Sequence, residues 1–253
     1  MDSKKRFSNR VDFYVRYRPT YPQAMLEHLE LVGALSSGAV VADIGSGTGL
    51  SARLFLAGGY KVYGVEPNAE MREASLEFLA AYPQYEAVDG SAEATTLPDG
   101  AIDLVVAGQA FHWFAVEPFR AEVQRILRPG GQAALFWNDR PAAETPFLYA
   151  YEQLLKQYAH NYAMVEHRHG KEEKLAIFFG PAGYQTANFE NILTYDQEAL
   201  IGRALSSSYS PLEDDPNYPF FIQGLNEIFD RYQEDGVVAM PYQTTVYYGA
   251  LEA

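Results

Sequence analysis

Cysteine is absent from all 253 residues, which excludes disulfide staples, thiolate nucleophiles and cysteine-ligated metals. Long apolar runs are missing too: no stretch approaches the roughly 18 residues of a membrane-spanning helix, and no apolar-centred leader opens the sequence. A cytoplasmic protein is expected. Positive charge is scarce, with 19 Lys and Arg against 33 Asp and Glu, a formal net charge of -14. Nucleic acid and anionic membrane surfaces are therefore unfavourable partners. No repeat or low-complexity tract interrupts the chain. What remains is 48% apolar and 14% aromatic, enough to bury a sizeable core as one domain over 1–253.

From residue 39 to about 138, short β-like runs alternate with helical ones, the pattern of a parallel sheet covered on both faces. The runs are AVVADI (39–44), YKVYGVE (60–66), YEAVD (85–89), AIDLVVA (101–107) and QAALFWN (132–138). Helices are expected over 48–57, after a cap at Asn68, and over 118–128 before Pro129-Gly130-Gly131. Beyond Asn138 the texture changes. Residues 144–164 carry apolar side chains at helical spacing and the HRHGKEE that follows is polar, which predicts a helical cover over 140–185. Residues 186–195 and 241–249 read as strands, with helices over 196–207 and 218–233 between them.

The most informative stretch is VADIGSGTGL, beginning at Val41. A strand that ends in a glycine-rich turn before a helix offers backbone N–H groups and lets a ligand approach where a Cβ would collide. Dinucleotides and adenosine-containing methyl donors both use that device. The dinucleotide spacing counted from Gly45 places its third glycine at position 50, which is Leu50; here the third glycine is Gly49. Asp43, at the strand end, would repel a pyrophosphate but suits a cationic amino group. Glu66 ends the second strand, where a carboxylate can accept both ribose hydroxyls, although dinucleotide enzymes place an acid there too.

VADIGSGTG, VYGVEPNAEM, DGSAEATTLPDGAIDLVVAGQAFHWF and ILRPGGQAALFWN together resemble the successive motifs of class I S-adenosylmethionine-dependent methyltransferases. VDFYVRYRPTYP and YQTTVYYG further resemble the small-molecule branch that includes trans-aconitate methyltransferase. The resemblance implies a Rossmann-like α/β fold with a seven-stranded, mostly parallel sheet of order 3-2-1-4-5-7-6, helices on both faces, and residues 1–38 as an N-terminal capping segment. It also implies that Asp43, Gly45, Ser46, Gly47 and Gly49 carry the methionine part of the donor and that Glu66 takes the ribose. Pro67 and Met71 would flank the adenine, Ser91 and Ala92 would meet its edge, and Gln109 would approach the methionine end. Tyr14, Tyr17 and Arg18 would fold over the donor, the arginine pairing with its carboxylate. Where many relatives have Asp, this chain has Ser91, a weaker partner for the adenine amino group.

Methyl transfer from a sulfonium is an in-line displacement with a neutral leaving group, so alignment of the acceptor matters more than acid or base help. The acceptor expected is a small organic molecule, methylated at oxygen, with a carboxylate as one form that needs no base. For a hydroxyl acceptor, His112 would take the proton. Trp113, Arg140, Arg203, Ser206, Ser208 and Tyr209 are the candidates to contact the acceptor, the arginines by charge and the hydroxyls as neutral donors. No metal is expected: His160, His167 and His169 lie in the polar part of the cover without carboxylates at ligand spacing. Nothing in the sequence sets the oligomeric state. Two other readings stand beside methyl transfer, a donor-binding protein without turnover and an NAD(P)-dependent oxidoreductase.

Overall fold

The computed structural model describes residues 16–141, 144–160, 162 and 171–251; Tyr14, His167 and His169 lie outside them. Seven strands form one sheet of order β3-β2-β1-β4-β5-β7-β6. They are β1 (Val40–Ile44), β2 (Lys61–Val65), β3 (Tyr85–Val88), β4 (Ile102–Gly108), β5 (Leu127–Asp139), β6 (Gln185–Tyr195) and β7 (Val238–Ala250). The first five run parallel, and β7 inserts antiparallel to both β5 and β6. The Rossmann-like class I arrangement is the one the motifs imply.

Alternation along β1 divides the side chains between two cores. Val41 joins Met25, Leu26, Leu29 and Phe55 beneath α1 (Gln23–Leu31) and α2 (Leu50–Ala57). Ala42 and Ile44 point the other way, toward Phe119 and Val123 of α4 (Val116–Ile126). Between these helices in the chain, α3 (Ala69–Phe78) starts at an Asn68 cap whose Oδ1 accepts the Met71 N–H. The helix expected over 118–128 stops at Ile126, and β5 begins at Leu127, five residues ahead of the expected strand. Pro129 disfavours helical backbone at Arg128, and Gly130 takes φ 83° within the irregular start of the strand.

The cover is built from two separated parts of the chain. Helix α5 (Pro146–Tyr158) packs with α7 (Gln197–Leu205) and α8 (Tyr218–Tyr232) around Leu148, Leu155, Leu200, Phe221 and Leu225. This lobe rests on Tyr195, Val238, Met240 and Tyr242, where β6 and β7 overhang the carboxyl end of β5. Helix α6 (Lys171–Phe179), also within 140–185, instead lies against α4 and the sheet. Phe178 stacks on Phe119 with ring centroids 5.0 Å apart, and Leu175, Phe178 and Phe179 are fully buried. Each such side chain gains about 1.5–3 kcal/mol by leaving water, so α6 goes where an apolar face awaits it. No helix among the described residues is long and apolar enough to cross a membrane.

A charged knot secures the loop after β3. Glu122 on α4 accepts the Thr95 N–H and O–H at 2.7 and 2.6 Å and pairs with Arg125. The Arg125 guanidinium holds the Glu122 carboxyl down at about 2. Its stabilising contribution is therefore present above the ordinary carboxylate range and fades as pH falls toward 2. Glu122→Gln is expected to cost about 1–2 kcal/mol near pH 7 after allowance for solvent screening and almost nothing near pH 2, measured by urea denaturation. Equal losses at both pH values would assign the residue a packing role instead.

Candidate active site

The turn after β1 is fixed by backbone geometry. Gly45 and Ser46 both donate their N–H to the Val65 carbonyl, at 2.9 and 3.2 Å. Gly45 and Gly49 adopt φ 67° and 86°, a region costly for side chains. Space is also lacking: a Cβ at Gly45 would lie 2.8 Å from that of Ala110, and one at Gly49 would lie 2.5 Å from Leu79. Beneath the turn, Asp43 is 0% exposed and accepts the Ser51 hydroxyl at 2.6 Å, tying β1 to the first turn of α2. Its Oδ1 has no partner among the described residues. Burial pushes the Asp43 carboxyl up to about 7 against the pull of Ser51 and the Ala52 N–H.

Glu66 faces this turn from the next strand end. Its Oε2 accepts the Gly47 N–H at 3.0 Å and its Oε1 accepts the Asn68 N–H at 2.9 Å. Arg72 donates to the Glu66 backbone carbonyl at 2.7 Å. One carboxylate thus aligns two βα loops at the carboxyl ends of adjacent parallel strands, the usual ligand crevice of an open α/β sheet. A cleft of about 260 Å³ opens there, with Glu66, Pro67, Met71, Ser91, Ala92, Gln109, Trp113 and Phe114 on its walls. The mixture of flat apolar surface and one oriented carboxylate matches the general make-up of small-ligand sites.

Gln109 joins the cleft to a smaller chamber of about 50 Å³, lined also by Arg18, Tyr21, Gly45, Ser46, Asn138 and Arg203. Its φ of 57° is uncommon outside glycine. The conformation is held by two bonds, its N–H to the Phe136 carbonyl at 2.9 Å and its side-chain amide to the Asn138 carbonyl at 3.0 Å. The segment before α1 crosses this chamber as a strap. Asn138 and Asn191 both donate side-chain amides to the Thr20 carbonyl, at 3.1 and 2.6 Å. Tyr17 donates its hydroxyl to Glu198 at 2.9 Å, and Arg18 donates to the Ser206 carbonyl at 2.8 Å.

The expected acceptor residues separate in space. Arg140 is neutralised: it pairs with buried Glu152 at 2.9 Å, meets the Tyr162 hydroxyl at 3.1 Å and lies over the Tyr151 ring. Arg203 is 6% exposed and reaches the chamber. Ser206 is fully buried and donates to the Arg203 carbonyl, so it finishes α7, while Ser208 and Tyr209 are half-buried just past that helix. Trp113, 44% exposed, lines the larger cleft beside Phe114 and is absent from the chamber that Arg203 enters. His112 packs on Trp113 within a single 3-10 turn, its carbonyl accepting from Lys174, and lines neither cavity.

Comparison with known proteins points the same way as the motifs. Residues 42–135 match the model of a methyltransferase domain. An uncharacterized methyltransferase of Mycobacterium bovis is 39% identical over 141 residues, 55% of this chain and 54% of that protein. A methyltransferase-like protein of Schizosaccharomyces pombe is 25% identical over 245 residues, 96% of this chain and 94% of the relative. Among solved structures, a candidate type II methyltransferase from Anaeromyxobacter dehalogenans aligns with TM-score 0.67 at 20% identity, covering 93% of this chain and 98% of its own. Residues 42–135 are thus similar to a methyltransferase domain, and the sheet has the class I, Rossmann-like strand order. The chain spans about half the length of the mycobacterial relative.

The residues of the larger cleft fit an S-adenosylmethionine donor. Glu66 is already oriented by two backbone N–H groups, and Pro67, Met71, Trp113 and Phe114 offer surfaces for a flat base. Sequence reasoning missed Phe114, Asn138, Asn191 and Thr244. Thr244 donates to the Asn138 Oδ1 at 2.5 Å, completing the polar lock under the strap. The one local sign was a polar residue, Asn138, ending an otherwise apolar strand.

Asp43 gives this domain a pH signature. Its folded value of about 7 lies above the ordinary aspartate value. The associated stability is therefore full below about pH 4 and lost as pH rises through 7. Asp43→Asn is expected to flatten that fall in urea titrations across this range. An unchanged slope would assign the effect to another group.

Proposed function

We propose that the protein transfers the sulfonium methyl of S-adenosylmethionine to an oxygen of a small organic acceptor, with a carboxylate oxygen as the nucleophile. The observation that carries this reading is the junction at Gly45 and Gln109, which line both the large cleft and the small chamber. A donor with its base and ribose in the first cavity would bring its methionine end to that junction, where the acceptor would meet it. Displacement at the sulfonium methyl forms a carbon–oxygen bond and releases a neutral thioether. A carboxylate gives up no proton in that step. The position of His112 outside both cavities accords with base-free transfer. Fixing two reactants in line accounts for up to about 7–11 kcal/mol of barrier lowering in favourable cases.

In this assignment Glu66 accepts the ribose hydroxyls, and the adenine lies between Pro67 and Met71 on one side and Trp113 and Phe114 on the other. Ser91 and Ala92 meet its edge. The turn from Gly45 to Gly49, with Ser46, carries the methionine part. Asp43 acts from beneath as a positioning residue, while Tyr17, Arg18 and Gln109 close over that end.

S-adenosylhomocysteine at about 100 times its dissociation constant should stabilise the protein by about 2.7 kcal/mol in thermal unfolding, and NAD should not. Glu66→Gln is expected to weaken that binding at least about tenfold, as loss of a charged acceptor would, with His112→Ala within about twofold. Stabilisation by NAD alone, or equal losses in the two variants, would overturn the assignment. Formation of S-adenosylhomocysteine with small organic acids separates turnover from binding.

A further inference from the structure

Tyr85 lines neither cavity, yet its hydroxyl reaches the underside of both loops that wall the larger one. It begins β3 in register with Val62 of β2, and its half-buried ring leans along the sheet over Gly64. A Cβ on Gly64 would lie 2.3 Å from the phenolic oxygen and 2.8 Å from the ring. Glycine inside a strand weakens it and marks a place where another group comes close. Gly64 is not among the residues with positive φ, so space for the tyrosine, and not backbone conformation, calls for a glycine there. From that space the phenol enters a chain of hydrogen bonds that ends at Glu66. Its hydroxyl donates to the Ser75 Oγ at 2.9 Å, Ser75 donates to the Arg72 carbonyl at 2.6 Å, and the Arg72 guanidinium donates to the Glu66 carbonyl at 2.7 Å.

Two further contacts tie this chain to the glycine turn and to the loop after β3. Ser75 is fully buried, and a Cβ on Gly49 would come within 3.6 Å of its own. Arg72 also pairs with Asp89 at 3.3 Å, in the loop that leads to Ser91. Burial pushes the Tyr85 phenol up, the Ser75 and Ser46 hydroxyls hold it down, and the carboxyls of Asp43 and Glu66 raise it further. The phenol thus stands among the groups that shape the turn, and near neutral pH it keeps its proton and donates. A phenylalanine would fill the space over Gly64 as well and would need no buried partner. The hydroxyl therefore adds direction to the packing.

We propose that Tyr85 is a positioning residue for the methyl donor: through Ser75 and Arg72, its hydroxyl holds Glu66 and the glycine turn at the separation that the two ends of the donor require. Glu66 accepts one N–H from each loop, so a shift of α3 that moves Glu66 moves the grip on both. A ligand that spans two loops binds more tightly when both are in place before it arrives, because ordering them on binding subtracts from affinity. The role is in donor binding and not in the displacement step, since Tyr85 touches no reacting group. This inference rests on the methyl-transfer reading for the identity of the ligand and on the hydrogen bonds alone for the coupling.

The test measures S-adenosylhomocysteine binding by calorimetry to the full chain, to Tyr85→Phe, to Ser75→Ala, to the two combined, and to Tyr85→Phe in a Glu66→Gln background. Tyr85→Phe should weaken binding about three- to tenfold, the effect of one ordinary hydrogen bond. Ser75→Ala should match it, and the combined variant should lie within about twofold of either, as for two partners of one bond. In the Glu66→Gln background the same Tyr85→Phe change should cost less than about twofold. Amide exchange gives a readout without ligand: the Gly47 and Asn68 N–H groups should exchange several-fold faster in Tyr85→Phe, with Val105 and Leu135 in the central strands unchanged. Full affinity in Tyr85→Phe would overturn the proposal. So would an equal loss with and without Glu66, which makes the tyrosine an independent contact, or faster exchange throughout the sheet, which makes it a general stability element. If S-adenosylhomocysteine fails to bind the wild type while exchange at Gly47 and Asn68 still responds to Tyr85→Phe, the coupling stands and the methyl-transfer reading falls.

Discussion

One carboxylate organises the larger cleft of this molecule. Glu66 accepts backbone N–H groups from Gly47 in the turn after β1 and from Asn68 in the turn after β2. The two loops that wall the cleft are thereby fixed relative to each other before any ligand arrives. Charge-assisted bonds from backbone donors are stronger than neutral ones and cost little side-chain entropy on one partner. The left-handed backbone at Gly45 and Gly49 and the buried tie from Asp43 to Ser51 serve the same geometry from below.

The cover lobe is governed by how positive charge is compensated. Arg140 and Arg203 are both withdrawn from water, but among the described residues only Arg140 of the two has an acid beside it, and its pairing with Glu152 binds the segment after β5 to α5. Arg203 is left with hydroxyl partners and a route to the chamber. The strap before α1 closes that chamber through Thr20, whose carbonyl gathers amides from Asn138 and Asn191. The cleft and the chamber therefore share a wall at Gln109, held in a backbone conformation it would not choose alone.

Much of the first 138 residues was legible because local chemistry and tertiary fate agree there. Apolar runs of four to seven residues, a cap at Asn68 and glycines at turns each have one outcome in a parallel sheet. The start of β5 was misjudged because Pro129-Gly130-Gly131 looks like a loop, whereas pairing with β4 draws those residues into an irregular strand. Helix α6 was hidden among polar neighbours, and its place was decided by aromatic surface on α4 far away in sequence.

The sequence by itself determined the alternation of elements, the glycine turn and the acid at the end of the second strand, since each depends on neighbours within a few residues. The insertion of β7 between β5 and β6 came only through resemblance, and the sheet pairing realises it. Tertiary structure alone distinguished Arg140 from Arg203, placed His112 outside both cavities and put Trp113 on the wall of the larger cleft. Charge compensation and cavity lining depend on groups tens to hundreds of residues apart, and no periodicity in one chain encodes which of them will meet.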